Sequence, residues 1–142
     1  MKIAKNNMKL YLPSLSVNES MARQAVASFV AQLNPTIEEL ADIKCAVSEA
    51  VTNAIVHGYK YKSGTVYIGV KYYGDRTVVI EIRDKGCGIK NVKEAMTPLF
   101  TTDTTGERSG MGFAVMQTFM DKLDVRSKIN EGVRILMTKH LG

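Results

Sequence analysis

Cysteine is scarce in this sequence, and the spacing of the possible metal ligands excludes one familiar kind of site. The chain of 142 residues holds Cys45, Cys87, His57 and His140, scattered along the sequence. Structural zinc sites use closely spaced pairs of such residues, so no zinc site coded by a local motif is expected. Cys45 falls within a helical apolar pattern and is predicted to be a buried, reduced thiol.

Long apolar runs are also missing, which argues against a membrane protein. No run approaches the roughly 20 residues that a spanning helix needs. Residues 1–7 show neither the apolar stretch nor the cleavage pattern of a signal peptide. The hydrophobic share of 45% and the charged share of 23% are ordinary for a globular protein. We therefore expect a cytoplasmic protein whose residues 1–142 form one domain, since no linker or repeat divides the sequence.

Signatures of nucleic-acid binding are absent from the sequence as well. There is no RNA-recognition motif and no helix-turn-helix pair with a basic recognition helix. The basic and aromatic residues at 59–62 are more simply an exposed loop. A net charge of +5 allows an acidic partner, such as a nucleotide, a nucleic acid or an acidic protein surface, without requiring one. We expect neither a direct nucleic-acid partner nor a membrane partner.

The apolar patterns that are present predict the order β-α-α-β-β-loop-α-β-β. Period-two patterns mark strands at 8–15, 65–73, 77–84, 122–128 and 133–139. Helical spacing marks 16–33, 36–57, a short helix at 91–96 and a helix from about 112. Capping boxes of the S/T-x-x-E form are predicted at Ser16 and at Thr36. Hairpin-linked strands and grouped helices favour an α+β fold, with helices on one face of a mixed, mostly antiparallel sheet.

The second helix carries a polar stripe beside its apolar face. Glu49, Asn53 and His57 are four residues apart, so on an α-helix they lie nearly one above another. The stripe is either a solvated edge or the wall of a site. The amide oxygen of Asn53 suits Mg²⁺, which takes few protein ligands alongside phosphates. Glu49 is placed to accept a proton from an attacking hydroxyl.

Two further segments add functional groups. Asp84 ends a strand with the parity of the core-facing residues, and an acid on that side needs a partner or forms a site. It can accept a hydrogen bond from an exocyclic amine such as that of adenine, while Gly86 and Gly88 keep side chains off the base. Residues 97–109 form a threonine-rich loop that ends at Gly110-Met111-Gly112, where a helix start offers N–H groups to phosphate.

These three segments resemble the motifs of the GHKL ATPase and kinase superfamily. Residues 48–59 resemble its N box, residues 84–89 its G1 box and residues 110–113 its second glycine box. Residues 98–102 and 107–113 extend the resemblance, which covers nearly the whole chain. Within the superfamily the sequence is similar to the anti-sigma factor serine kinases, especially those of sporulation.

The resemblance implies a Bergerat-type α/β sandwich that binds ATP or ADP with Mg²⁺ under a lid formed by residues 97–109. It implies Asn53 on the metal, Glu49 as the catalytic base and Asp84 on the adenine amine. Arg108 is expected to reach the terminal phosphate. The remaining nucleotide contacts are expected from Gly86, Gly88, Ile89, Thr101, Thr102, Ser109, Gly110, Met111 and Gly112.

The resemblance also implies two activities and several partners. One activity is to bind a sigma factor of the sigma F type and keep it from RNA polymerase. The other is that of an ATP-dependent serine/threonine kinase, which phosphorylates a serine of an anti-sigma factor antagonist. Such proteins are homodimers, and the N-terminal strand and first helix are the expected interface. Arg23, on the exposed edge of that helix, is the candidate for contact with a partner.

Three alternatives stay open at this point. The chain could be an anti-sigma factor kinase of the general stress response, from the same family. It could also be a nucleotide-gated sigma-binding module with negligible phosphotransfer, although Glu49 favours a kinase. A histidine kinase catalytic domain is disfavoured, because no phosphoacceptor helix is found. One position departs from the family: many members place Thr after the glycine of the last hairpin, where this chain has Gly132-Val133. The departure bears on the outer adenine contact and leaves the fold unaffected.

Overall fold

The computed structural model describes residues 2–96 and 112–142, and within these ranges the backbone forms a five-stranded sheet. The strands are β1 (Asn6–Pro13), β2 (Thr65–Tyr72), β3 (Thr77–Asp84), β4 (Lys122–Lys128) and β5 (Gly132–His140). They lie side by side in the order β1-β2-β3-β5-β4, so β3 is the central strand. Pro13 ends the edge strand β1, where its missing N–H costs no ladder hydrogen bond.

Four α-helices accompany the sheet in the described ranges: α1 (Asn18–Val30), α2 (Ile37–Asn53), α3 (Val92–Ala95) and α4 (Gly112–Phe119). A short 3₁₀ turn extends α1, and a π-helical turn extends α2. The long helix α2 packs against both α1 and α4. The α+β fold is therefore confirmed. Every pairing of the described strands is antiparallel, so the sheet is not mixed.

The core lies between the helices and one face of the sheet. Alternate residues of β2, β3 and β5 point inward, as period-two patterning requires. Fully buried side chains from both layers meet there, namely Ile43, Val47, Ile68, Ile80, Ile82, Met116 and Met137. Met120, which follows the last residue of α4, is also buried. None of the helices in the described ranges is long and apolar enough to cross a membrane.

Three side chains of the helical apolar patterns are exposed, and one of them, Cys45, was predicted to be buried. Met21 is 54% exposed and Ile37 is 90% exposed, because both lie in the first turns of their helices, beyond the area that the sheet covers. Cys45 is also exposed, since it lies on the side of α2 opposite Ile43 and Val47. Helical periodicity alone does not fix which flank of an apolar stripe a neighbouring layer covers.

One of the two predicted capping boxes is present. The Thr36 hydroxyl accepts from the Glu39 N–H at 3.0 Å, and the Glu39 carboxylate accepts from the Thr36 N–H at 2.8 Å. The box predicted at Ser16 is wrong. Helix α1 begins after Val17 with no side-chain cap, and the backbone oxygen of Ser16 accepts from Glu19 instead.

Replacing Thr36 or Ser16 with alanine tests which of the two side chains caps its helix. We expect Thr36→Ala to lower the free energy of unfolding by about 1 kcal/mol, because an N-cap hydrogen bond is lost. Ser16→Ala is the matched control, and it leaves the free energy of unfolding unchanged. Urea unfolding followed by circular dichroism measures both. Equal losses in the two variants would contradict the observed caps.

Candidate functional site

The carboxyl group of Asp84 is the most unusual feature of the described structure. It ends the central strand β3, faces the core side of the sheet and is 5% exposed. The Gly86 N–H donates to its Oδ1 at 2.8 Å. Burial nevertheless dominates and raises the pKa of Asp84 from 3.8 to about 6, against the opposing effect of the Gly86 and Val133 N–H groups. The sequence prediction that this acid faces the core is confirmed.

Three glycines keep the surroundings of Asp84 free of side chains. A Cβ on Gly58 would lie 2.8 Å from the Asp84 carboxyl carbon, and one on Gly132 would lie 2.0 Å from the Asp84 carbonyl oxygen. A Cβ on Gly86 would lie 2.1 Å from the carbonyl oxygen of Gly58. Any larger residue at these positions would clash with backbone or with the carboxyl group. The chain therefore passes close to Asp84 on three sides.

Gly58 has a different role from the one that its sequence position suggests. A glycine after a helix is usually a left-handed C-terminal cap. Here the helix continues through a π-helical turn at Ala54–Gly58, closed by a hydrogen bond of 2.9 Å from the Tyr59 N–H to the Ala54 oxygen. Gly58 is absent from the residues with positive φ. Its small size matters because of Asp84, and π-helical turns are frequent at functional sites.

Tyr59, which the sequence placed at the start of an exposed loop, is half-buried instead and connects the helix end to the loop after β3. Its hydroxyl donates to the Thr65 carbonyl at 2.6 Å and accepts from the Lys85 N–H at 2.7 Å. Its ring packs over Gly64, where a Cβ would lie 2.4 Å from the ring. Burial raises the pKa of this hydroxyl. The residue holds the start of the 84–89 loop in place.

The rest of the 84–89 loop is anchored on both sides. The Cys87 N–H donates to the Gly58 carbonyl at 2.9 Å, and the Cys87 carbonyl accepts from Asn130 of the last hairpin at 2.8 Å. The Ile89 N–H donates to the hydroxyl of Ser127 at 2.6 Å. Gly88 has φ +78°, a conformation that favours glycine. The loop that resembles a G1 box is therefore a rigid backbone segment between α2 and the β4–β5 hairpin.

Glu49 and Asn53 converge on the first residue of α4. A Cβ on Gly112 would lie 3.3 Å from Glu49 Oε2 and 3.5 Å from Asn53 Oδ1. The amide nitrogen of Asn53 is buried and has no hydrogen-bond partner among the described residues. A buried amide without a partner is rare in folded proteins and is expected where a ligand supplies the missing partner. The glycine leaves room for one.

Asn53, the residue predicted to bind the metal, fits a Mg²⁺ site only if phosphate supplies further ligands. No group of three or more His, Cys, Asp or Glu residues that could hold a metal occurs among residues 2–96 and 112–142. Mg²⁺ is commonly held through one protein oxygen, several waters and the phosphates of a nucleotide. The Asn53 amide oxygen beside Gly112 fits such an arrangement.

Two candidates lie apart from this cluster or lose their predicted geometry. His57 lies in the π-helical turn, so it does not continue the straight stripe of Glu49 and Asn53. Its carbonyl accepts a hydrogen bond from the Cys87 thiol at 3.2 Å. Arg23 lies on α1, half-buried, 3.5 Å from Glu19 and 3.4 Å from the Ser20 hydroxyl.

The predicted lid at 97–109 lies outside the described residues. The same holds for six of the predicted site residues, namely Thr101, Thr102, Arg108, Ser109, Gly110 and Met111.

The arrangement combines a buried acceptor, a rigid glycine-lined loop and a helix edge with an acid and an amide. These groups suit a ligand with an amine at one end and phosphates at the other. Residues 12–139 match the family model of the histidine kinase-like ATPase domain. The chain belongs to this family. The predicted GHKL membership is confirmed.

Two similar proteins from bacteria are anti-sigma F factors. This chain is 56% identical over 138 residues to the anti-sigma F factor of Anoxybacillus flavithermus, covering 96% of this chain and 94% of that protein. It is 54% identical over 138 residues to the anti-sigma F factor of Priestia megaterium, with the same coverage.

Solved structures agree with the fold. The RsbU and RsbW domains of Rv1364c from Mycobacterium tuberculosis superpose with a TM-score of 0.71 at 18% identity, covering 96% of this chain and 32% of that one. The catalytic domain of histidine kinase ThkA gives a TM-score of 0.59 at 16% identity and covers 96% of both chains. At these identities the structures show the fold alone.

The raised pKa of Asp84 predicts a dependence of stability on pH. The folded protein holds this proton more tightly than the unfolded chain, so Asp84 costs stability increasingly as pH rises from 3.8 to about 6. Asp84→Asn removes this cost and keeps an oxygen for the Gly86 N–H. The free energy of unfolding of the variant minus that of the wild type should therefore rise by about 2 kcal/mol as the pH increases from about 4.5 to about 7.5.

Urea unfolding of both proteins at several pH values measures that difference. A constant difference across the range would show that Asp84 titrates normally in the folded protein.

The contact between Gly58 and Asp84 predicts an unusual effect of alanine. In an exposed helix Gly→Ala stabilises by about 1 kcal/mol. Gly58→Ala places a methyl group against the buried carboxyl group, so we expect a loss of about 1–3 kcal/mol instead. Gly69→Ala is the control, because its methyl group would lie 4.0 Å from Glu81 Cβ and meet ordinary packing. Thermal unfolding of both variants checks the sign, and a stabilised Gly58→Ala would contradict the packing described here.

Proposed function

We propose that this protein is an ATP-dependent serine kinase that also acts as an anti-sigma factor of the sigma F type. The observation that carries the nucleotide part is the buried Asp84 carboxyl group, enclosed by Gly58, Gly86 and Gly132. The partner part is supported by relatives more than half identical over nearly the whole chain, all named anti-sigma F factor. Both activities belong to one cytoplasmic domain in this proposal.

The proposed nucleotide contacts follow from the chemistry of each group. Asp84 accepts a hydrogen bond from the adenine amine, with Gly86, Gly88 and Ile89 forming the backbone beside the base. Asn53 and the start of α4 at Gly112 face the phosphates. Mg²⁺, bound through Asn53, supplies charge neutralisation at the phosphates. Thr101, Thr102, Arg108, Ser109, Gly110 and Met111 complete the proposed phosphate contacts.

In the proposed transfer Glu49 is the general base. Its carboxylate accepts the proton of a serine hydroxyl on the antagonist protein as that oxygen attacks the γ-phosphorus. The bond to ADP breaks, and phosphoserine and ADP are the products. The position of Glu49 beside Asn53, both next to Gly112, supports this role because base and phosphate-binding groups share one edge. Arg108 stabilises the charge on the transferred group in this scheme.

The proposed homodimer has support in an exposed apolar patch. Tyr11, Leu15, Val17 and Met21 lie along the end of β1 and the start of α1, and each is more than half exposed. Apolar side chains clustered in this way commonly mark an interface. Arg23 lies two residues after Met21 in α1, so it points away from this patch, because residues two apart on a helix do not face each other. We propose Arg23 for a partner contact beside the patch. We propose this surface for the second copy and the sigma factor.

The ATP part is tested by calorimetry on Asp84→Asn. Loss of a hydrogen bond to a charged acceptor is worth about 1.5–3 kcal/mol, so we expect ATP to bind roughly ten- to a hundred-fold more weakly. Gly69→Ala, distant from the proposed contacts, keeps its affinity. Equal ATP affinity in wild type and Asp84→Asn would show that the adenine assignment is wrong.

The kinase part is tested with ATP, Mg²⁺ and the purified antagonist protein. We expect phosphoserine on the antagonist and a loss of about a hundred-fold or more in rate for Glu49→Ala, since a general base contributes that much. ATP affinity should be retained in this variant. Normal sigma binding without any phosphoserine would favour the nucleotide-gated binding module. Acid-labile phosphohistidine would indicate histidine kinase chemistry.

A further inference from the structure

The face of the sheet turned away from the helices carries a row of three arginines. Arg83 of β3 lies directly opposite Arg134 of β5, and Arg134 lies directly opposite Arg126 of β4. All three side chains are exposed. Lys85 and Lys128 extend the same face at the ends of β3 and β4. We call these five residues the basic row.

Like charges directly opposite each other in a sheet repel. Local contacts relieve part of this repulsion: Arg134 pairs with Glu81, and Arg126 lies 3.2 Å from Asp124. The Arg83 guanidinium lies over the Tyr67 ring at 4.9 Å and forms no ion pair with an acid of the described residues. Lys128 also pairs with Glu131 at 3.8 Å, so the five cations of the row and these three acids leave a net charge of +2 on this face. Because exposed pairs contribute only about 0–1 kcal/mol each, the carboxylates of a partner can replace the internal acids at small cost.

The basic row borders a shallow depression of about 390 Å³. Arg83, Arg126, Lys128 and Arg134 line it, together with Asp84, Ser127, Glu131, Gly132 and Val133. The arginine side chains lie on the outer face of the sheet, whereas the Asp84 carboxyl group faces the core. The depression therefore adjoins the proposed nucleotide contacts at Asp84, and the basic row lies on the opposite face of the sheet. A surface that gathers cations around a concavity suits an anionic partner.

The spacing of the three arginines favours an acidic helix over single-stranded nucleic acid as the partner. Neighbouring strands lie about 4.8 Å apart, so the three arginines are spaced by about that distance along a line across the sheet. Carboxylates three and four residues apart on one face of a helix have an axial spacing of about 4.5–6 Å. Single-stranded nucleic acid needs free aromatic faces for its bases, but Tyr67 already carries Arg83 and Lys85 over its ring, at 4.9 and 5.3 Å.

We propose that the basic row is a docking site for an acidic helix of a partner protein, lying across β3, β5 and β4. Its carboxylates pair with Arg83, Arg134 and Arg126 in turn. The row and its three paired acids carry +2, so the site accounts for part of the net charge of +5. The proposal does not depend on kinase or anti-sigma activity.

The test uses two synthetic helical peptides of identical composition. In one, glutamates alternate three and four residues apart and form one acidic face; in the other, the same glutamates are distributed around the helix. Fluorescence anisotropy at low salt measures binding to the full chain. We expect Arg83→Gln/Arg126→Gln to weaken binding of the first peptide about ten-fold or more. Lys9→Gln/Lys71→Gln, with the same change in charge on β1 and β2, is the control, and it changes affinity less than about two-fold.

The outcomes separate the proposal from its competitors. Equal binding of both peptides, or equal weakening by both double variants, would show a general charge effect and overturn it. Tighter binding of a single-stranded oligonucleotide, lost in the same arginine variant, would assign the row to nucleic acid instead. Unchanged ATP affinity and thermal unfolding in Arg83→Gln/Arg126→Gln show that the fold is intact, and Arg126→Gln alone provides a milder variant. No nucleotide is needed, so the result is independent of the proposed kinase activity.

Discussion

The burial of one carboxyl group at the end of the central strand organises the whole site. Asp84 is 5% exposed and has a pKa of about 6, which means that its ionised form is costly in the free protein. Buried acids with a raised pKa are concentrated at functional sites, although structural networks also contain them, and the proposed nucleotide contacts give this one a ligand. The surrounding backbone is arranged to bring the chain close to this carboxyl group, and that arrangement explains features of the fold that packing alone would not require.

The long helix and the last hairpin both reach Asp84 through glycine. Gly58 ends the π-helical turn beside the carboxyl group, and Gly132 begins β5 against the Asp84 carbonyl. The same helix carries Glu49 and Asn53 to the start of α4, so one rigid element connects the two ends of the proposed nucleotide contacts. Displacing this helix would alter both ends together. In the proposed nucleotide contacts, α2 would therefore couple fold stability to ligand binding.

The outer face of the sheet shows a separate specialisation. The helices cover the inner face, while the outer face remains exposed and places Arg83, Arg134 and Arg126 side by side. These residues are far apart in sequence, and only antiparallel register makes them neighbours. The composition gave the excess of positive charge without its location. Strand order places these arginines on the half of the sheet opposite β1, where Glu81, Asp124 and Glu131 offset part of their charge.

By itself the sequence determined the strands, the helices, the α+β class and the inward direction of Asp84, because local periodicity encodes these features. It also contained the family motifs. It could not distinguish the Thr36 capping box from the similar pattern at Ser16, since the two differ only in how the chain enters the helix. Tertiary structure decided the exposure of Cys45 and Ile37, the π-helical turn and the size limit at Gly58. Each of these depends on contacts between residues that are distant in sequence, which local patterns do not record.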